Sequence, residues 1–114
     1  MRILLVEDEP LIALDLESIL ERLGHEVVGV AETREEAVRL AEDEHPEAAL
    51  VDIKLRDGFT GVETAHQLTA DFGLYCAFVT GNPEQVTACG AAIVAKPYTV
   101  AAIDAVLQGM GQAA

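Results

Sequence analysis

Short, continuous apolar runs alternate with longer stretches of helical period five times along this 114-residue chain, and no other feature limits its fold so tightly. Ile3-Leu4-Leu5-Val6 has the pattern of a strand covered on both faces. Pro10 suits a first helical turn, where its missing N–H costs nothing and its φ is already helical. Ile12, Leu16, Ile19, Leu20 and Leu23 then fall on one helical face, and Gly24 ends the helix. Val27-Val28-Gly29-Val30 predicts a second strand. Thr33 and Glu36 have capping-box spacing and open a helix with Ala37, Leu40 and Ala41 inward, which Pro46 closes. Ala48-Ala49-Leu50-Val51 predicts a third strand, running into Asp52. Asp57-Gly58 marks a turn. Thr60 and Glu63 are spaced to cap a helix carrying Val62, Ala65 and Leu68. Residues 74–79 predict a fourth strand, residues 83–88 a short, weakly patterned helix, and residues 92–95 a fifth strand. Thr99 caps a last helix with Val100, Ile103, Val106 and Leu107 inward, leaving 109–114 as a loose tail.

Strands that alternate with helices across short connections pair in parallel through right-handed crossovers. The predicted class is α/β: a doubly wound (βα)5 parallel five-stranded sheet with helices on both faces, formed by residues 1–114 as one domain.

Composition removes several function classes. Seven Lys and Arg face 20 Asp and Glu, a formal charge of −13 with pI ≈ 4.3. A surface that acidic repels phosphate backbones and anionic lipid, so neither nucleic acid nor membrane is an expected partner. Hydrophobic residues at 51% supply a core and argue against disorder. No apolar run reaches the ~18 residues a bilayer span requires. The N-terminus meets Glu7 and Asp8 too soon for a signal peptide. Cys76 and Cys89 have neither disulfide-framework nor metal spacing. A soluble, cytoplasmic chain is expected. Its second half is nearly uncharged, with Lys96 the sole Lys or Arg after residue 57.

In an open parallel sheet, chemistry collects at the carboxyl ends of the strands. Those ends are Glu7-Asp8, Asp52, Thr80-Gly81 and Lys96-Pro97. Alone, Glu7-Asp8-Glu9 fits a solvated acidic helix start. Together with Asp52, it crowds carboxylates into one crevice, where mutual repulsion raises their pKa values. A hard divalent cation relieves that repulsion. Magnesium takes oxygen ligands and keeps several waters, so one or two carboxylates plus a phosphoryl oxygen suit it. No His or Cys joins the cluster, which argues against zinc. Lys96 can neutralise a second anionic oxygen and Thr80 can hydrogen-bond a third. Such a set fits a phosphoryl group in transfer.

From Ile3-Leu4-Leu5-Val6-Glu7-Asp8 through Asp52 and Thr80 to Lys96-Pro97, the chain resembles the receiver domain of two-component response regulators. The resemblance implies a flavodoxin-like fold with strand order 2-1-3-4-5. It implies that Asp52 accepts a phosphoryl group from the phosphohistidine of a sensor histidine kinase. Glu7, Asp8, Asp52 and the backbone carbonyl of Lys54 would hold Mg2+, and Thr80 and Lys96 would bind phosphoryl oxygens. Lys96-Pro97 resembles the family's cis peptide. Phe78-Val79-Thr80-Gly81 is similar to the Phe-Ala-Thr-Gly run of the FAT GUY receivers, which are associated with kinases of the HWE and related families. Two positions depart from the common pattern. Ile93 stands where a switching aromatic is usual, and Lys54-Leu55-Arg56-Asp57-Gly58 lacks the usual proline. A stand-alone regulator and a phosphate sink or shuttle both remain open. Output through a protein partner or homodimer is expected on the face of the fourth helix, fifth strand and fifth helix, with Ala101, Ala105 and Gln108 outward and Tyr98 nearby.

Two enzyme-like alternatives are weaker. Thr80-Gly81-Asn82-Pro83-Glu84 resembles a flavodoxin phosphate loop, but it follows the fourth strand rather than the first, and the chain has no Trp to stack a flavin. Aspartyl-phosphate hydrolases place an Asp two residues after the nucleophile, where this chain has Lys54. His25, His45 and His66 read as scattered surface residues.

Overall fold

The structure, a computed structural model, describes residues 1–85 and 92–112. Its elements are β1 (Arg2–Val6), α1 (Pro10–Arg22), β2 (Glu26–Ala31), α2 (Arg34–Glu44), β3 (Ala48–Val51), α3 (Gly61–Phe72), β4 (Tyr75–Thr80), β5 (Ala92–Ala95) and α4 (Val100–Gln112). The five strands form one parallel sheet in the order β2-β1-β3-β4-β5. Because the chain reverses its direction of travel across the sheet after β2, the crevice beyond the carboxyl ends of β1 and β3 is the topological switch point.

The sheet separates two apolar layers. Leu4, Val6, Ala49, Val51 and Phe78 point to one face and pack with Ala37 and Ala41 of α2 and Ala65 and Leu68 of α3. Ile3, Leu5, Leu50, Ala77, Val79 and Val94 point to the other and meet Leu16, Ile19 and Leu20 of α1 and Ile103 and Leu107 of α4. Both faces are covered, so the central strands contain no alternating polar residues and the two-layer pattern reads as continuous apolar runs. Each fully buried Leu or Ile contributes roughly 1.5–3 kcal/mol relative to exposure. Where β1 pairs with the edge strand β2, the register shifts between Ile3, opposite Val27, and Leu4, opposite Gly29. There Gly29 lets α2 approach closely: a Cβ would come 3.0 Å from two Leu40 methyls.

The caps show why the elements start where they do. Thr33 accepts the Glu36 N–H at 3.2 Å, so the spacing that predicts the α2 start is realised. Thr99 does the same for Ala102 at 3.1 Å. Gly24 and Gly73 end α1 and α3 with φ of 91° and 70°, a region that disfavours side chains. Three expectations need correction. Thr60 precedes α3, but its hydroxyl donates to Asp57 at 2.6 Å and caps nothing. Val100 is exposed, because Ile103, Leu107 and Met110, at i, i+4 and i+7, already fill the seam against the sheet. Helix α4 also runs through 109–112, where a loose tail is expected. Of the helix expected at 83–88, Pro83–Gln85 forms a single 3-10 turn, and 86–88 lie outside the described residues.

Candidate functional site

Parallel pairing carries three ladder bonds past the strand ends, and these bonds position the site. Glu7 N–H donates to Ala31 O at 2.8 Å, Asp52 N–H to Val6 O at 2.9 Å, and Lys96 N–H to Thr80 O at 2.8 Å. Glu7, Asp52 and Lys96 are each therefore the first residue beyond a strand of the sheet. The expected cluster forms. One carboxylate oxygen from each of Glu7, Asp8 and Asp52 lies within 4.8 Å of the others.

Lys96 binds two of the three. Its Nζ donates to Glu7 Oε2 at 2.9 Å and to Asp52 Oδ2 at 3.1 Å. Glu7 is 2% exposed and Asp52 8%. Glu7 Oε1 accepts the Glu9 N–H at 3.2 Å. Asp8 makes no hydrogen bond or ion pair among the described residues. Burial pushes the Glu7 carboxyl up from its ordinary value, with the Lys96 ammonium pulling against it. For Lys96, burial pulls the pKa down, but the hydrogen bonds to Glu7 and Asp52 outweigh it and the ammonium is held. Three carboxylates against one ammonium leave the crevice rich in negative charge, the condition a divalent cation removes.

Thr80 is fully buried, and its Oγ1 accepts the Asn82 N–H at 3.0 Å, leaving the hydroxyl proton to donate elsewhere. The Lys96-Pro97 peptide is cis. Lys54 has an exposed side chain two residues beyond Asp52. Ile93 is partly buried against the β3–β4 layer. His45 and His66 are exposed, while His25 lies 2.9 Å from the N-terminal amine.

Sequence reasoning missed what fastens the loop between β3 and α3. Arg56 reaches back to Glu32 and Glu36, at 3.0 and 2.9 Å. Asp57 Oδ2 accepts the Arg34 N–H at 3.2 Å. Gly61 starts α3 against the peptide that follows Asp52: its N–H donates to Ile53 O at 3.0 Å, and any Cβ there would collide with Asp52 O and Ile53 Cα. Tyr98 donates to Asp15 on α1 at 2.5 Å. The two glycines that follow Asp57, Gly58 and Gly61, were the available signal.

The family model described as response regulator receiver domain matches residues 3–108. The chain belongs to this family. As a receiver, it is 44% identical over 110 residues to the phyllosphere-induced regulator PhyR of Methylorubrum extorquens, covering 92% of this chain and 41% of that protein. The receiver thus spans less than half the length of that relative. The receiver domain of Erythrobacter litoralis PhyR superposes with a TM-score of 0.88 at 31% identity, covering 96% of this chain and 88% of that one. The anti-anti-sigma factor PhyR of Bartonella quintana, solved in complex with the anti-sigma factor NepR, matches with a TM-score of 0.63 at 39% identity, over 66% of this chain and 31% of that one. Among the described residues, no helix of this receiver is long and apolar enough to cross a membrane.

Proposed function

We propose that this receiver is a phosphoacceptor that takes a phosphoryl group onto Asp52 from the phosphohistidine of a sensor histidine kinase. The observation that carries the reading is the pairing of buried Asp52 with Lys96 Nζ at 3.1 Å, beside two more carboxylates within 4.8 Å. A buried carboxylate held by a lysine at the switch point of a parallel sheet is poised to receive an anion-rich group.

In the proposed step, an Asp52 carboxylate oxygen forms a bond to phosphorus as the N–P bond of the donor imidazole breaks; the ring nitrogen takes the bonding pair, and the ring, protonated from solvent at its other nitrogen, leaves as neutral imidazole. Lys96 holds the other Asp52 oxygen and turns its charge toward the incoming phosphoryl oxygens. Thr80 would donate its hydroxyl proton to one of them. Glu7, Asp8, Asp52 and the Lys54 carbonyl would hold magnesium. The all-oxygen donor set and the excess negative charge fit that ion. When bound, magnesium supplies charge neutralisation at the phosphoryl oxygens. Output then passes to a protein partner or a second copy. Ala101, Ala105 and Gln108 of α4 are exposed for such a contact.

The test is incubation with acetyl phosphate and magnesium. One acid-labile phosphoryl group is expected on the native chain and none on Asp52→Asn. Labelling that persists in the variant overturns the reading.

A further inference from the structure

The β3–α3 loop leaves the proposed phosphoacceptor directly and carries the Lys54 carbonyl, yet it is held from outside the crevice. Leu55 and Gly58 exchange backbone hydrogen bonds at 2.8 and 3.0 Å, closing residues 55–58 into a tight turn. Leu55 is buried in the core and anchors the turn's start. The turn projects Arg56 and Asp57 onto the junction between β2 and α2. Arg56 N–H donates to Glu32 O at 3.0 Å, and its guanidinium bridges Glu32 and Glu36. Asp57 uses both oxygens: one accepts the Arg34 N–H, an open donor at the α2 start, and the other accepts the Thr60 hydroxyl at 2.6 Å. Arg34 continues the connection to α3 through Glu63 at 2.9 Å and Gln67 at 2.8 Å. The loop is fastened at its tip to one element and at its end to another.

We propose that Arg56 and Asp57 are positioning residues for the phosphoacceptor site: by locking the β3–α3 loop to the start of α2, they hold the Lys54 carbonyl and the peptide after Asp52 in the geometry that magnesium and the phosphoryl group require. The inference rests on the phosphoacceptor reading. Its physical basis is that a backbone carbonyl can serve as a ligand only if its loop is fixed, and the order of this loop comes from contacts that never touch the crevice. Asp57 is the central member, since it joins α2, Thr60 and the turn. Its carboxyl lies below the ordinary range because of the Thr60 hydrogen bond first and the Arg34 N–H after it.

The experiment compares the native chain with Asp57→Ala, Asp57→Asn, Arg56→Ala and Arg2→Ala. Each is measured for magnesium affinity by calorimetry, for labelling rate with acetyl phosphate at limiting magnesium, and for Tm. Arg2 pairs with Glu44 and Glu26 at the amino ends of β1 and β2, the end of the sheet away from the crevice, so its variant reports destabilisation without loop release. Asp57→Ala is expected to weaken magnesium binding about tenfold, the low end of losses seen when supporting partners of metal ligands are removed. Labelling at limiting magnesium should slow in proportion. Asp57→Asn keeps one carbonyl acceptor for the Arg34 N–H and should recover most of the affinity. Arg2→Ala should lower Tm with no change in affinity. If Asp57→Ala does not fold, Arg56→Ala carries the test, because it removes only exposed ion pairs. Native magnesium affinity in a folded Asp57→Ala or Arg56→Ala chain overturns the positioning role, as does an equal affinity loss in Arg2→Ala. A native chain that neither binds magnesium nor accepts label overturns the phosphoacceptor reading itself.

Discussion

A methyl group at Gly61 would fall well inside contact distance of the Asp52 carbonyl oxygen and the Ile53 Cα, both backbone atoms that cannot rotate away. Alanine in place of glycine ordinarily favours a helix by ~1 kcal/mol. Here overpacking opposes it at roughly 1–3 kcal/mol or more, so Gly61→Ala is expected to lower the urea midpoint. The displaced peptide is the one following Asp52, so labelling by acetyl phosphate should fall further than stability does. A variant as stable as the native chain and labelled at the native rate would show that the start of α3 has room. Cys76 gives a second test. Its thiol donates to Ala65 O at 3.7 Å and accepts from Thr69 at 3.6 Å, and burial raises its pKa. The thiolate is the reactive form, so alkylation at Cys76 near pH 8 should be much slower in the folded chain than in denaturant, as mapped by mass spectrometry. Equal rates would contradict the burial. At this scale Glu7, Asp8, Asp52 and Lys96 were legible in the sequence, because each stands within two residues of the end of an apolar run. Arg56 and Asp57 were not. Their contacts to Glu32, Arg34 and Glu36 span 20 residues or more, and no local period marks a contact of that kind.

At the scale of elements, what was legible followed how locally each element is encoded. Residues 48–51 coincide with β3 because buried strands in a parallel sheet are unbroken apolar runs, and the apolar run 92–95 coincides with the edge strand β5. Strand β2 runs one residue further at each end than Val27–Val30, because its edges are extended by pairing with β1. The Thr60 assignment failed because capping spacing fixes neither backbone angles nor a competing acceptor, and Asp57 won the hydroxyl. Helix α2 carries an element-scale prediction. Its first turn is capped by Thr33 from within and by Asp57 from the neighbouring loop. Its first turn also holds Glu35 and Glu36, well placed for the helix dipole. Thr33→Ala should cost ~1 kcal/mol, the usual value for a lost N-cap. Combined with Asp57→Ala, the loss should exceed the sum of the two single losses, because the second cap then has no substitute. Strict additivity in denaturant melts would mean the caps act independently.

Over the whole molecule, 20 acids oppose seven bases, and the fold gathers three of those acids into one crevice with one lysine. Two electrostatic costs follow, and they answer to different ions. Repulsion across the surface is diffuse and is screened by any salt, with a Debye length of about 10 Å at 0.1 M. Repulsion in the crevice is local and partly buried, so monovalent salt relieves it poorly. Magnesium should therefore raise Tm beyond sodium chloride of equal ionic strength. At a hundredfold excess over its dissociation constant, a ligand of the native state adds about 2.7 kcal/mol. At about 4–8 °C per kcal/mol for a chain near this size, the rise is on the order of 10 °C. Asp8 separates the two costs. Glu7 and Asp52 each hold Lys96, so neutralising either removes an attraction along with a repulsion, whereas Asp8 has no such partner among the described residues. Asp8→Asn should thus raise Tm in the absence of magnesium and abolish most of the magnesium response, while leaving the sodium chloride response unchanged. The check is a set of thermal melts of both chains in matched sodium and magnesium series. Should the two salts stabilise the native chain equally at matched ionic strength, or should Asp8→Asn keep the full magnesium increment, the acidic cluster is a solvated helix start and the crevice has no cation to hold.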